Sequence, residues 1–211
     1  MINSNDPLFT SIAHDDLLTM ARLHDQLVAA ADSGRLLDVA YRTVDSPVGT
    51  LLLAATERGL IRVAYEIENH DQVLQTLSER VSPRILRAPR RLDQAAHQLA
   101  EYFAGNRRDF VLPLDFQLAH GFRREVLSRL VLIDYGHTET YSQVAAAAGH
   151  PRAVRAVGSA CATNPMPVIV PCHRVLRSDG KLGGYVGGPA TKATLLSLEG
   201  HGRLDTDPLL R

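Results

Sequence analysis

Asn164-Pro-Met-Pro-Val-Ile-Val-Pro-Cys172-His-Arg-Val175 is an apolar run between prolines that ends on a cysteine followed directly by a histidine and an arginine. Val168, Ile169 and Val170 are β-branched and lie between Pro167 and Pro171, so the segment reads as a short, buried, extended stretch that presents Cys172 in one direction. Fixed delivery suits a nucleophile. A cysteine reacts as its thiolate, and the free thiol pKa of about 8.5 is lowered by a neighbouring cation or a helix N-terminus. His173 and Arg174 are the sequence neighbours expected to do this. Buried cysteines are also ordinary core residues, and Cys161, eleven positions upstream, takes that reading.

Just upstream, Tyr141-Ser-Gln-Val-Ala-Ala-Ala-Ala-Gly149 predicts a short helix capped by Ser142, and His150 to Ala160 a second helix with Pro151 in its first turn. Helix, glycine turn and helix form a helix-turn-helix pattern, which on its own serves protein cores as readily as DNA. Position favours DNA here, because the second helix runs almost directly into the Asn164 to Cys172 segment. A duplex resting on it would lie beside the thiol. Its outer face, Ala153, Ala156, Gly158, Ser159 and Ala160, is small; it permits close backbone approach and offers few groups to read bases.

Pro-Cys-His-Arg-Val preceded by Asn-Pro-x-Pro resembles the active-site signature of the O6-alkylguanine-DNA alkyltransferases, the methylated-DNA–protein-cysteine methyltransferases. The likeness runs without a gap from about Tyr141 to Gly200 and more weakly back to Asp38. It implies that Cys172 takes an alkyl group from O6 of guanine, or O4 of thymine, in double-stranded DNA. His173 would remove the thiol proton through a water, Glu199 would orient His173, and Asn164 would brace the turn. It further implies that Arg155 fills the gap left by a flipped base, that Tyr141 crowds the adjacent phosphate, and that Ala156, Gly158 and Ser159 meet the minor groove. Pro167, Val175, Ser178, Tyr185 and Gly187 would line the base pocket, with the glycine-rich Ser178 to Gly188 as its mobile lid. The thioether product is not easily hydrolysed, so a single-use reagent without cofactor or metal is expected.

Departures from the family pattern are few. Leu127 or Leu130 stands where the family usually has an aromatic, which touches packing. Ala162 and Thr163 replace the arginine or polar residue common before Asn-Pro, removing a possible phosphate contact. No cysteine is available for the zinc site some relatives carry, nor for a four-cysteine phosphotriester sensor.

The chain of 211 residues is 45% apolar and 22% charged, ordinary globular composition for one large or two small domains. Two cysteines eleven apart fit neither a disulfide framework nor a zinc motif, so an intracellular reducing compartment is expected, the cytoplasm if the source is bacterial. No apolar run reaches the ~18 residues of a membrane span and no secretory signal is visible, so membrane partners are not expected, and neither is an oligomer. Net charge is zero, which by itself argues against a dedicated nucleic-acid binder. The average hides an asymmetry: residues 116 to 203 carry ten basic against five acidic side chains, a net of +5, so the remainder carries −5.

In chain order, Asp15 to Val28 shows helical spacing of Leu17, Met20, Ala21, Leu23, Leu27 and Val28, capped by Asp15 or Asp16 and stopped at Gly34. It lies upstream of the family likeness and is expected to pack on its own domain. Val39 to Val44, Thr50 to Ala55 and Leu60 to Tyr65 read as a three-stranded meander. Asp71 to Val81 and Leu92 to Phe103 read as helices, Phe110 to Phe116 as an extended connector, and Gly121 to Ile133 and Thr191 to Leu198 as further helices. The expected architecture is an α/β N-terminal domain with a small antiparallel sheet (39–116), joined to a mainly helical, winged-helix-like C-terminal domain that contains the helix-turn-helix (117–203). An N-terminal helical extension (1–38) and a tail (204–211) flank them.

Two other functions fit parts of this pattern. A non-catalytic binder of alkylated DNA would flip the base and flag it, yet such relatives replace the cysteine. A Cys-His hydrolase or acyltransferase would release its product and turn over.

Overall fold

The structure, a computed structural model, describes residues 7–200. The expected tail, 204–211, lies outside them. A four-stranded sheet is built from β1 (Val39–Val44), β2 (Leu51–Thr56), β3 (Gly59–Tyr65) and β4 (Ile85–Arg87), in the order β3-β2-β1-β4. β1, β2 and β3 form the expected antiparallel meander, but β4 pairs parallel to β1. The sheet is therefore mixed, a correction of the expected antiparallel one. β4 has three residues and no buried face, too short for alternation to betray it.

β2 is buried on both faces, and its alternation divides the core. Leu51, Leu53 and Ala55 join Leu92, Ala95, Leu99 and Tyr102 of the α3 side (α3, Asp93–Phe103), while Leu52 and Ala54 join Val73 and Leu77 of α2 (His70–Arg80). A register shift between Ala54 and Ala55 puts Ile61 and its neighbour Arg62 both toward α2, while Val63 and Tyr65 face the larger core.

The free edge of β3 is where the two halves of the chain meet. The connector runs beside it: Leu60 N–H donates to Pro113 O (2.8 Å) and Asp115 N–H to Leu60 O (2.8 Å). Gly59, at φ 136°, allows this approach, since a Cβ there would sit 2.2 Å from Pro113 O. Further along the same edge, Val63 N–H donates to Pro165 O (2.9 Å), which fastens the start of the cysteine segment to the sheet.

The helical half comprises α4 (Gly121–Leu130), α5 (Tyr141–Ala147), α6 (Val154–Ala162) and α7 (Gly188–Leu198), with a two-residue parallel pair β5 (Glu139–Thr140) and β6 (Val175–Leu176). α4, α5 and α6 pack on one another through Val126, Leu127, Leu130, Val144, Ala145, Val157 and Ala160, all buried. Leu127 and Leu130 thus fill the core without an aromatic. α5 is capped by Thr140, whose hydroxyl and Gln143 make a reciprocal capping box, and not by Ser142. α6 starts at Val154, so Pro151 lies in the preceding turn and not in the helix.

The N-terminal helix α1 runs Pro7–Ser33, so Asp16 lies inside it and does not cap it. Its last turns dock: Val28 and Ala31 pack on the core, His24 Nε2 bonds Arg87 O (2.6 Å), and Asp32 pairs with Arg91. Of the expected stripe, Val28 packs on the domain, whereas Met20, Leu23 and Leu27 are each at least half exposed and do not. At its end the left-handed residue is Arg35 (φ 51°), one past Gly34.

Candidate active site

The predicted extended run before Cys172 is instead a tight turn. Val170 N–H donates to Met166 O (2.8 Å) and Cys172 N–H to Val170 O (2.8 Å), with Val168 at φ 72° and Met166 to Val170 all buried. A β-branched residue in that region is strained, of order 1–3 kcal/mol. Asn164 offsets this: its Nδ2 donates to Val170 O (2.8 Å), its Oδ1 accepts from Met166 N–H (3.0 Å), and Nδ2 also reaches Cys172 Sγ (3.1 Å). One amide therefore closes the turn and holds the sulfur.

Cys172 is 1% exposed, and burial pushes its thiol up to about 11, only partly countered by the Asn164 hydrogen bond and the charge of Lys192. The expected lowering by His173 and Arg174 does not occur, because both side chains turn toward Glu199. His173 Nε2 lies 2.8 Å from Glu199 Oε1, and Arg174 grips the same carboxylate through Nε and Nη2 at 2.9 Å each. Tyr102 O–H (2.7 Å) and Gly136 N–H (3.3 Å) complete its shell.

Burial alone would raise Glu199, but the hydrogen bonds from His173 and Arg174 hold it far below the usual carboxylate range. It is ionised and accepts only, so Nε2 of His173 carries the hydrogen and Nδ1 keeps its lone pair. Nδ1 is buried with no protein partner, and burial depresses the ring's affinity for a proton. A neutral imidazole with a fixed tautomer and an open nitrogen stands directly after the cysteine. This is an orienter, a base and a nucleophile in one buried network.

The glycine-rich loop is shaped by two tyrosines. Tyr185 lies edge-on to His173, with ring centroids 6.4 Å apart, and its hydroxyl meets that of Tyr65 at the end of β3 (2.8 Å). A Cβ on Gly187 would lie 2.7 Å from the Tyr65 ring, and one on Gly183 2.8 Å from Tyr141 Oη. Lys192 of α7 is fully buried beneath the loop, donating to Val175 O (2.6 Å) and to Leu182 O, with Nζ 6.0 Å from the Tyr141 ring centroid. Burial lowers it to about 8.

Of the residues expected at the site, Asn164 meets Cys172 and Glu199 meets His173, Tyr185 lies edge-on to His173, Gly187 lies against Tyr65, and Val175 O accepts from Lys192. Pro167 is buried in the turn, while Ser178 is exposed at the far end of the loop and no contact joins it to the thiol. Tyr141 is half-buried, its hydroxyl pushed up to about 12 by burial. Arg155, Ala156 and Ser159 are exposed on α6, and Gly158 has nothing within 4 Å of an added Cβ. Ala160 is buried, which removes it from the expected outer face. Tyr65, Tyr102 and Lys192 were not singled out from sequence; Lys192 alone left a trace, a lone cation in an otherwise uncharged helix. Among the described residues, no group of three or more His, Cys, Asp or Glu could hold a metal ion and no helix is long and apolar enough to cross a membrane.

Residues 39–116 match the family model described as the 6-O-methylguanine DNA methyltransferase ribonuclease-like domain, and residues 121–201 that enzyme's DNA-binding domain. The methylated-DNA–protein-cysteine methyltransferase of Mycolicibacterium paratuberculosis is 40% identical over 161 residues, covering 76% of this chain and 92% of that one. The crystal structure of Mycobacterium tuberculosis O6-methylguanine methyltransferase superposes with a TM-score of 0.67 at 37% identity, covering 82% of this chain and 98% of that one. A structure of the same organism's protein in complex with DNA gives 0.64 at 38% identity, covering 76% and 93%.

Proposed function

This chain belongs to the methylated-DNA–protein-cysteine methyltransferase family, and from that premise we propose that it repairs DNA by moving an alkyl group from O6 of guanine, or O4 of thymine, onto Cys172. The observation that carries the reading is the geometry around the thiol: Sγ held by Asn164, and next to it a neutral His173 whose Nε2–H is fixed by Glu199 and whose Nδ1 is open.

A thiol pushed up to about 11 is inert at rest, so the proton must leave as the reaction begins. His173 Nδ1 takes it through a water, and the resulting imidazolium is stabilised by Glu199. Sulfur then attacks the alkyl carbon as the carbon–O6 bond breaks, and the bonding pair passes to the guanine, which takes a proton from Tyr141 O–H or water. Tyr141 is protonated at neutral pH and available to donate. The positive charge of Lys192 lowers the cost of the transient thiolate. The product is a thioether on Cys172, so each molecule acts once, with no cofactor and no metal.

Guanine O6 lies within the stacked duplex, so the base must be flipped at a cost of a few kcal/mol. α5, the turn at Gly149 and α6 act as a helix-turn-helix in a winged-helix-like domain (117–203), with the sheet domain (39–116) as scaffold. The small exposed face of Ala156, Gly158 and Ser159 meets the minor groove, Arg155 fills the vacated stack, and Tyr141 crowds the phosphate. The loop from Ser178 to Gly188 opens to admit the base and closes with Tyr185 against it; Pro167, Val175 and Gly187 complete the pocket. The protein acts as an intracellular monomer on duplex DNA.

The test is stoichiometry. With a tenfold excess of duplex carrying one O6-methylguanine, demethylated product should plateau at one equivalent per protein. Continued turnover would point to a Cys-His hydrolase instead.

A further inference from the structure

Between α2 and the C-terminal end of α6 lies a cavity of about 450 Å3 lined by three guanidinium groups, those of Arg62, Arg80 and Arg123, none of which the chemistry at Cys172 uses. Its one carboxylate, Glu68, is already engaged by Arg62 and by Tyr65 N–H (2.9 Å). Arg62 also donates to Pro165 O (3.3 Å), and Arg123 donates through Nη2 to Thr163 O. Two of the three cations are thus anchored to the backbone on either side of Asn164. Arg123 keeps a second donor, Nε, buried with no partner, and the side chain of Arg80 makes no ion pair or hydrogen bond among the described residues.

The cleft therefore carries three positive charges against one negative. Burial, then the nearby charges of Arg80 and Arg62, make Arg123 a weaker base than an ordinary arginine. Such crowding of like charge around a concave surface is relieved by an anion. A planar guanidinium with an unused N–H edge matches phosphate oxygens, and Gln72 and Thr76 add neutral polar groups to the wall.

We propose that this cleft is a phosphate-binding site, and that the phosphate it seats is a phosphodiester of the DNA strand flanking α6. The DNA part rests on the function proposed above; the phosphate chemistry does not. An occupant would touch the wall formed by Thr163 and Asn164, and so report directly on the residue that holds Cys172 Sγ.

The test uses Arg80→Gln, a change at an exposed side chain with no protein partner, against Arg90→Gln, an equal charge loss at an exposed arginine outside the cleft. Affinity for an undamaged duplex is measured across a salt series, and melting temperature in sodium phosphate against sodium chloride at equal ionic strength. A seated phosphodiester predicts that Arg80→Gln lowers the magnitude of the slope of log affinity against log salt by about one, while Arg90→Gln leaves it unchanged. An unchanged slope, with a phosphate-dependent rise in melting temperature that Arg80→Gln abolishes, assigns the site to free phosphate and overturns the DNA part. Equal behaviour of both variants in both assays overturns the site altogether. Methyl transfer by the wild-type protein is scored separately; its absence would remove the proposed function without altering either readout.

Discussion

The hydroxyls of Tyr65 and Tyr185 share a hydrogen bond of 2.8 Å, with their rings edge to face at 5.9 Å, so the last residue of β3 is tied to the loop that borders Cys172. The sheet does more than carry the helical half. It sets the position of a side chain at the thiol across 120 residues of sequence. Tyr65→Phe removes one hydroxyl and leaves the other without its partner, at a cost of about 0.5–3 kcal/mol. We expect a folded protein with a lower urea midpoint and slower methyl transfer in a single-turnover assay. Gly187→Ala, which drives a methyl group into the Tyr65 ring, should do the same by about 1–3 kcal/mol. Unchanged rates in both variants would show that Tyr185 is positioned by the loop alone.

Asn164→Ala strips hydrogen bonds from Val170 O, Met166 N–H and Cys172 Sγ at once. The two buried backbone groups left unsatisfied cost about 1–3 kcal/mol each, so a total of roughly 2–6 kcal/mol is expected in urea unfolding. The thiolate also loses its donor, so iodoacetamide should react with Cys172 more slowly than in the wild type at matched pH. Faster reaction would mean that collapse of the turn exposes the sulfur, which outweighs the lost stabilisation.

Glu199 governs acid stability. Its folded pKa lies below the unfolded value of about 4.3, so its contribution is complete above that pH and is lost as pH falls toward the folded value. Glu199→Gln should flatten the dependence of unfolding free energy on pH between about 5 and 2. At neutral pH it should cost about 3–5 kcal/mol, because Arg174 stays buried without its counter-ion. Equally steep acid limbs in both proteins would place the acid sensitivity elsewhere.

His173 should set the pH dependence of transfer. Burial lowers its pKa below the usual value of about 6.5, so the base is neutral through the physiological range. The single-turnover rate constant should be level from pH 8 to about 6.5 and fall below that as Nδ1 takes a proton. His173→Ala should lose about 10²- to 10⁴-fold in rate and the acid limb with it. An acid limb that persists in the variant would assign the titration to another group.

The site was legible where its residues stand in one short register: Asn164, Cys172 and His173 lie within ten positions, and Glu199 follows at the end of α7. Tyr65 and Tyr102 were not, because they reach Tyr185 and Glu199 from 120 and 97 residues away and look locally like core tyrosines. The meander, α2, α3 and α4 followed from apolar periodicity. The turn at Val168 did not, since β-branched residues favour extended backbone until a tertiary hydrogen bond, here from Asn164, outweighs that preference. The raised thiol pKa was missed for a related reason. Sequence adjacency placed His173 and Arg174 next to Cys172, but Glu199 draws both away.

The most direct measurement is intact mass followed by peptide mapping, after mixing the protein with a duplex carrying one O6-methylguanine, alongside Cys172→Ser. Alkyl transfer to Cys172 would leave one added methyl group, confined to the peptide containing Cys172, stoichiometric with protein and absent from the variant. Tight binding of the lesion with Cys172 unmodified would contradict it and make the protein a damage-recognition factor.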